Sequence, residues 1–419
     1  MKCIKRDFLL KDTFILFLFA FIVGFSFSIY SKGLFFPEPW EYEDIAVNLF
    51  SGKGFLINFI GTGYYGYSTP LYPVLCTMIY KIFGHNQSAV ILLQIVIFSF
   101  LCVVVYLIAA QVFNRPTAIL ASFLTAIHPG FLIYSAKKLH ALPLDALFIS
   151  LTLYCFILAF EKFNALRFFI CGIIFGLCVL TRSTIAPFLL VGGIWLYWAK
   201  KRPLPQITKY FIILAITGVT IIGIWSVRNF LVFKRFIPIT TVSAEVFWRG
   251  NNPNASGTSF TKEGRTVLES DKDFFDKLKK MDELQRYDFF KSEARRFIRS
   301  NPDKFAILLL KKFYYFWWFS PDSGKFYPKK IFNIYRYGYF IILLFSVCGI
   351  FTGLFSQRKD TFKKTLLLLM ALLSISLAQS FFYVEGRHRL AIEPLLLIFA
   401  ASGFNYVKRK KVRVKRFTI

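Results

Sequence analysis

Glu38, Glu41, Glu43 and Asp44 place four carboxylates in seven positions of the segment PEPWEYEDIAVNLFSGKGF. A carboxylate held near a low-dielectric surface has a raised pKa and can take a proton from a hydroxyl or an amine. A helix from about Trp40 to Phe50 puts Ile45 and Leu49 on one face and leaves the acids at its start, where the helix dipole favours them. General-base chemistry and simple helix-start decoration both fit this pattern. A second cluster, Arg387, His388 and Arg389, follows Glu385. Paired guanidiniums suit bidentate recognition of phosphate, although cations at a membrane edge commonly just snorkel. An acid and an anion-holding group are what is needed to deprotonate a nucleophile and stabilise an anionic leaving group.

The elements that must position these groups are apolar. Of the 419 residues, 56% are hydrophobic and 19% aromatic. A spanning helix needs about 20 mostly apolar residues, and the chain offers about ten such runs. They fall near Phe14–Tyr30, Ala89–Val112, Thr117–Tyr134, Pro143–Phe160, Phe168–Leu180, Ile185–Ala199, Tyr210–Ser226, Tyr335–Phe355, Thr365–Phe381 and Leu390–Tyr406. The first follows Lys2, Lys5, Arg6 and Lys11 and lacks a small-x-small cleavage site, so it reads as a retained span with a cytoplasmic N-terminus. Alternating the spans from there puts Arg115, the Glu161–Arg167 loop, AKKRPLPQITK, SQRKDTFKK and the tail KRKKVRVKR on the inside, as the positive-inside bias requires.

The net charge of +29 therefore reads as topology and anionic headgroups, and no nucleic-acid partner is expected. Six cations break the bias and lie outside: Lys137, Lys138, Arg182, Arg228, Arg387 and Arg389. An anion is to be held there, and at that depth a lipid phosphate fits.

The class is an all-α integral membrane protein. Residues 1–226 form an N-terminal membrane module whose first outer loop, 31–88, carries the acids. Residues 227–334 form an outer, partly amphipathic segment, and 335–419 a C-terminal membrane module with a basic cytoplasmic tail. Leu71–Phe83 and Phe305–Phe319 read as interfacial helices, because one is short and the other has Lys311 and Lys312 in its middle, with a re-entrant or spanning pair as the alternative. Phe274, Leu278, Met281, Leu284 and Phe289 follow helical spacing, and Asn301–Pro302 reads as a helix start. The Gly and Tyr residues of positions 52–67 read as a flexible outer loop with interfacial aromatics or as a loop that closes on a ligand. The seven cysteines show neither metal-ligand nor disulfide spacing. His128 and His140 read as packing or surface groups.

Several segments, in order along nearly the whole chain, resemble bacterial GT-C membrane glycosyltransferases, the group of protein mannosyltransferases and aminoarabinose transferases. These are EPWEYEDIAVNLFSGKGF, TPLYPVL, GLCVLTRSTIAPFLL, WSVRNFLVFKRFIPITT with GNNPNASG, and EGRHRLAIEPLLLIFAASG. The resemblance implies a GT-C-like helical bundle with an outward-facing site beneath the first loop. It implies inverting transfer of a sugar from a polyprenyl-phosphate donor to a glycan, lipid or protein acceptor at the outer face of the bacterial cytoplasmic membrane. The family's catalytic Asp falls on Glu38, four before Tyr42, with Glu41 next in line; Glu replaces Asp here. The donor phosphate falls to Arg387, Arg389, Arg182 and Lys137, and Tyr42, Lys53, Tyr72 and Arg228 line the substrate loop. The family's second loop acid has only Asp145 to match it, slightly late. No cofactor or metal is expected, since arginines can hold the phosphate. The alternatives are a transporter or flippase of lipid-linked sugars and a lipid-linked glycan polymerase or ligase. The first would more often carry charges at span centres, which this chain avoids.

Overall fold

The structure is a computed structural model that describes residues 6–200, 202–261, 264–321 and 329–417. Every apolar run named above is helical. They are α1 (Arg6–Tyr30), α4 (Gln87–Val112), α5 (Arg115–Ala126) with α6 (Pro129–Ala136), α7 (Leu142–Glu161), α8 (Ala165–Thr181), α9 (Phe188–Ala199), α10 (Leu204–Phe233), α15 (Lys329–Leu354), α16 (Lys359–Ser380) and α17 (Glu393–Phe417). Six of these, α1, α4, α7, α10, α15 and α16, are long and apolar enough to cross a membrane. The α5–α6 pair, bent by 53°, makes a seventh. The helices α8 and α9 are apolar but shorter than a full crossing. The bend follows from Pro129 at the first position of α6, where the ring removes a donor and crowds the preceding turn.

Without a hydrophobic drive between helices in lipid, close backbone approach does the packing. The tightest case is α15 against α17: a Cβ at Gly349 would lie 1.9 Å from the Phe399 carbonyl oxygen, and one at Gly403 2.1 Å from that of Phe345. At the helix ends carrying the basic loops, buried Lys364 pairs with Glu161 and Asp360 at 2.5 and 2.8 Å, and Arg115 grips Asp12 at 2.7 and 2.8 Å.

The two outer segments fold onto each other. The first holds α2 (Glu41–Phe50), a hairpin of β1 (Ile57–Phe59) and β2 (Thr62–Tyr64), and α3 (Leu71–Phe83). The second holds α11 (Val242–Arg249), α12 (Lys272–Lys279), α13 (Glu283–Ser300) and α14 (Pro302–Trp317). The apolar spacing from Phe274 to Phe289 does not belong to one helix. It breaks between α12 and α13 because Asp282 and Gln285 form a capping box that starts a new one. Ala244, Trp248, Leu278, Phe290 and Ala294 close a small core between α11, α12 and α13.

The glycine-rich loop is likewise more ordered than its composition implies. Ile60 (φ 50°) and Gly61 (φ 74°) make the two-residue turn of an antiparallel hairpin. Buried Arg286 of α13 donates to the carbonyls of Phe59, Ile60 and Leu278 and to Thr62 Oγ1. Glu283 accepts from the amides of Tyr65 and Gly66 and from Thr241 Oγ1. These bonds answer backbone groups that a three-residue strand leaves open.

Candidate active site

The four acids of the first loop have four different surroundings. Glu38 forms a parallel bridge with Lys138, and its carboxylate is bracketed by Lys137 at 2.8 Å and Lys138 at 2.6 Å. The hydrogen bonds from these two lysines hold its pKa below the usual carboxylate value. Glu43 is buried and anchors α2, accepting from Tyr80 and from Gln87 (3.0 Å) and meeting His85 at 2.8 Å. Asp44 is exposed. Glu41 begins α2, and loss of water raises its pKa, opposed by a hydrogen bond from its own backbone amide and, through space, by Arg387, Arg249 and Arg182. A proton acceptor should have an elevated pKa and open lone pairs. Glu41 meets this description better than Glu38, whose lone pairs the lysines engage.

Glu41 lies between two aromatic residues in the chain, Trp40 and Tyr42, and several cations act on it through space. Tyr42 packs edge-on against Tyr72 (5.3 Å) and His140 (5.2 Å), and Trp40 against His140 at 4.9 Å. Burial, with Arg387, Arg182 and Lys138 nearby, holds His140 well below its ordinary pKa, so it stays neutral. His388 is depressed in the same way by burial, Arg182 and Arg387. The Arg387 guanidinium lies 4.7 Å over the Trp40 ring and 3.0 Å from Glu385. Arg182, capping α8, lies 3.8 Å from Asp145. Asp145 sits fully buried in the first turn of α7 with neither carboxylate oxygen hydrogen-bonded.

The expected pairing of Arg387 with Arg389 does not form. Both lie on the 3-10 turn Gly386–Ala391, whose three residues per turn send positions two apart to different faces. Arg389 is instead buried between the rings of Tyr339 (4.3 Å) and Phe319 (4.5 Å). Of the four substrate-loop residues, only Tyr42 borders Glu41. Tyr72 is core and donates to Gln94. Lys53 is exposed beyond α2. Arg228 clasps the first loop by donating to the Tyr65 carbonyl and stacking over Trp225 at 4.7 Å.

The second outer segment adds residues that the sequence reading missed. Arg249 of α11 is one of the three guanidiniums acting on Glu41, and it pairs with Glu245 one turn back. The GNNP loop fixes this geometry: Asn251 donates to the Phe381 carbonyl, and a Cβ at Gly250 would lie 2.6 Å from the Phe382 carbonyl carbon. Buried Lys312 of α14 donates to Gly250 O and Asn251 Oδ1, and burial pushes its pKa down to about 7. The Glu-x-x-x-Arg spacing just before GNNP was the available signal for the pair.

Residues 68–226 match the family model "Dolichyl-phosphate-mannose-protein mannosyltransferase". A comparison with curated protein sequences finds no match. Among solved structures, the fold is similar to the apo oligosaccharyltransferase of Archaeoglobus fulgidus, with TM-score 0.59 and 15% identity over 97% of this chain and 52% of that one. The same archaeal enzyme in complex with an inhibitory peptide and a dolichol-phosphate aligns with TM-score 0.57, 15% identity and the same two coverages. ArnT from Cupriavidus metallidurans in the apo state aligns with TM-score 0.51 and 14% identity over 93% of this chain and 59% of that one. The chain thus spans about half the length of the archaeal structures it resembles. The protein is a multi-spanning, predominantly helical membrane protein that shares the fold of these solved glycosyl-transferring enzymes.

Proposed function

We propose that this protein is an inverting glycosyltransferase that moves a sugar from a polyprenyl-phosphate donor to an acceptor at the outer face of a bacterial cytoplasmic membrane. The observation that carries this reading is Glu41: a partly desolvated carboxylate at the start of α2 in the first loop, acted on through space by Arg387, Arg249 and Arg182. The family match over 68–226 and the shared fold support it. So does the complex of the similar archaeal enzyme with a dolichol-phosphate.

The chemistry follows from the arrangement. Glu41 takes the proton of an acceptor hydroxyl or amine. The freed nucleophile attacks the anomeric carbon from the face opposite the phosphate. The bond from that carbon to the phosphate oxygen breaks, and polyprenyl phosphate leaves with the electron pair. One displacement gives inversion. Arg387, backed by Arg182 and by Lys137 at the loop edge, stabilises the leaving phosphate; guanidiniums placed where charge develops need no reorganisation. Glu38, held between two lysines, orders the strand that leads into α2.

The reading is tested in cells. Deleting the gene should make one glycosylated envelope lipid, glycan or protein lose the mass of one sugar while its polyprenyl-phosphate sugar accumulates. Unchanged glycans together with unchanged lipid-linked sugar pools would refute it.

A further inference from the structure

Beyond the field that Arg249 exerts on Glu41, one largely buried charged pair has no role in the steps described above. Glu245 and Arg249 stand one turn apart on α11, and Arg249 NH2 donates to Glu245 Oε1. Their side chains are 3% and 18% exposed, yet Glu245 Oε2 and Arg249 Nε have no hydrogen-bond partner. Leaving a buried donor and a buried acceptor idle is costly, and such groups are ordinarily satisfied by something. Their charges cancel, so the pair attracts neither an anion nor a cation strongly. An open carboxylate oxygen beside an open N–H instead matches a hydroxyl, which donates to the first and accepts from the second. Aromatic faces are at hand. The Arg249 guanidinium lies 6.0 Å from the Tyr383 ring, and Tyr67 lies within the field of Glu245, Arg249, Glu41 and Tyr383. The pair also adjoins both ends of the reaction. Arg249 acts on Glu41, and Tyr383 precedes Arg387 by four residues.

We propose that Glu245 and Arg249, with the rings of Tyr67 and Tyr383, form the subsite that reads the hydroxyls of a neutral hexose on the donor lipid. This rests on the donor reading above and goes further by naming the sugar class and the residues that select it. Sites built to hydrogen-bond a hydroxyl reject ligands lacking it, because their buried polar groups are then left unpaired.

The test is equilibrium binding of two probes to the intact protein in nanodiscs: undecaprenyl phosphate, and undecaprenyl phosphate carrying mannose or glucose. Wild type should bind at least one hexosyl lipid more tightly than the bare lipid. Glu245→Gln, which keeps the shape and removes the charge, should weaken the hexosyl lipid by about tenfold or more, while the bare lipid binds no more weakly than before. If Glu245→Gln does not fold, as judged by thermal unfolding, Tyr383→Leu, which removes a ring of the subsite and no charge, is read in the same way. Equal loss for both lipids, no loss for either, or a wild type with no preference for hexosyl lipid overturns the subsite and leaves the donor reading standing. A wild type that binds neither lipid overturns the donor reading and the subsite with it.

Discussion

Glu41 and Glu38 lie three residues apart and are predicted to behave differently on mutation. Water loss raises the Glu41 pKa, so the folded state favours the protonated form more than the unfolded chain does. The cost of its charge is therefore absent below the unfolded pKa and is felt in full as pH rises through the folded one. Glu41→Gln should melt at a higher temperature than wild type at pH 7 to 8 and about equally at pH 4, while losing about 10²- to 10⁴-fold in transfer rate. Glu38 has the opposite sign: its lowered pKa contributes stability above the unfolded value, and this is lost as pH falls through the folded one. Glu38→Gln should therefore melt lower at neutral pH and keep most of its turnover. Differential scanning fluorimetry across pH, alongside rates, checks both; a Glu41→Gln protein less stable than wild type at pH 8 would contradict the burial account. Arg387→Lys keeps charge but loses the planar fork stacked on Trp40, so donor use should fall more than protein level. Quantified expression and donor KM decide that point.

Elements explain what was legible in the sequence and what was not. The apolar runs, the helix carrying Glu41 and the start of α14 at Asn301–Pro302 could be read because each rests on local signals: composition, dipole and capping. The hairpin at Ile57–Tyr64 could not, since its strands are held chiefly by Arg286 and Glu283, more than 200 residues away. The divergence of Arg387 and Arg389 was hidden for another reason: side-chain direction depends on a 3-10 turn that composition does not announce. Glu41 over Glu38 could be ranked only once Lys137 and Lys138 were seen to bracket the latter. The clasp on the hairpin makes its own prediction. Arg286→Ala leaves the carbonyls of Phe59, Ile60 and Leu278 without this donor, at about 1–3 kcal/mol for each buried group left unsatisfied. Limited proteolysis should then cut within residues 55–67 under conditions in which wild type is intact. An unchanged digestion pattern would mean that the hairpin holds without α13.

At the scale of the molecule, the helical bundle carries a clamp of ion pairs at one end and the Glu41 site at the other. By the positive-inside bias, the basic loops are expected to put the first end in the cytoplasm. Reporter fusions after Ile419 and within GNNPNASG should accordingly report opposite sides of the membrane; the same side for both would remove the outward-facing site. The central claim is that this site transfers a sugar from a polyprenyl-phosphate donor using Glu41. Its most direct measurement is a single-turnover assay on purified protein in nanodiscs, loaded with a labelled polyprenyl-phosphate sugar and given an acceptor-containing envelope extract. The account predicts that wild type and Glu38→Gln release polyprenyl phosphate and label the acceptor with inverted anomeric configuration. Glu41→Gln should bind the donor and release almost none. Turnover by Glu41→Gln at the wild-type rate would contradict the account.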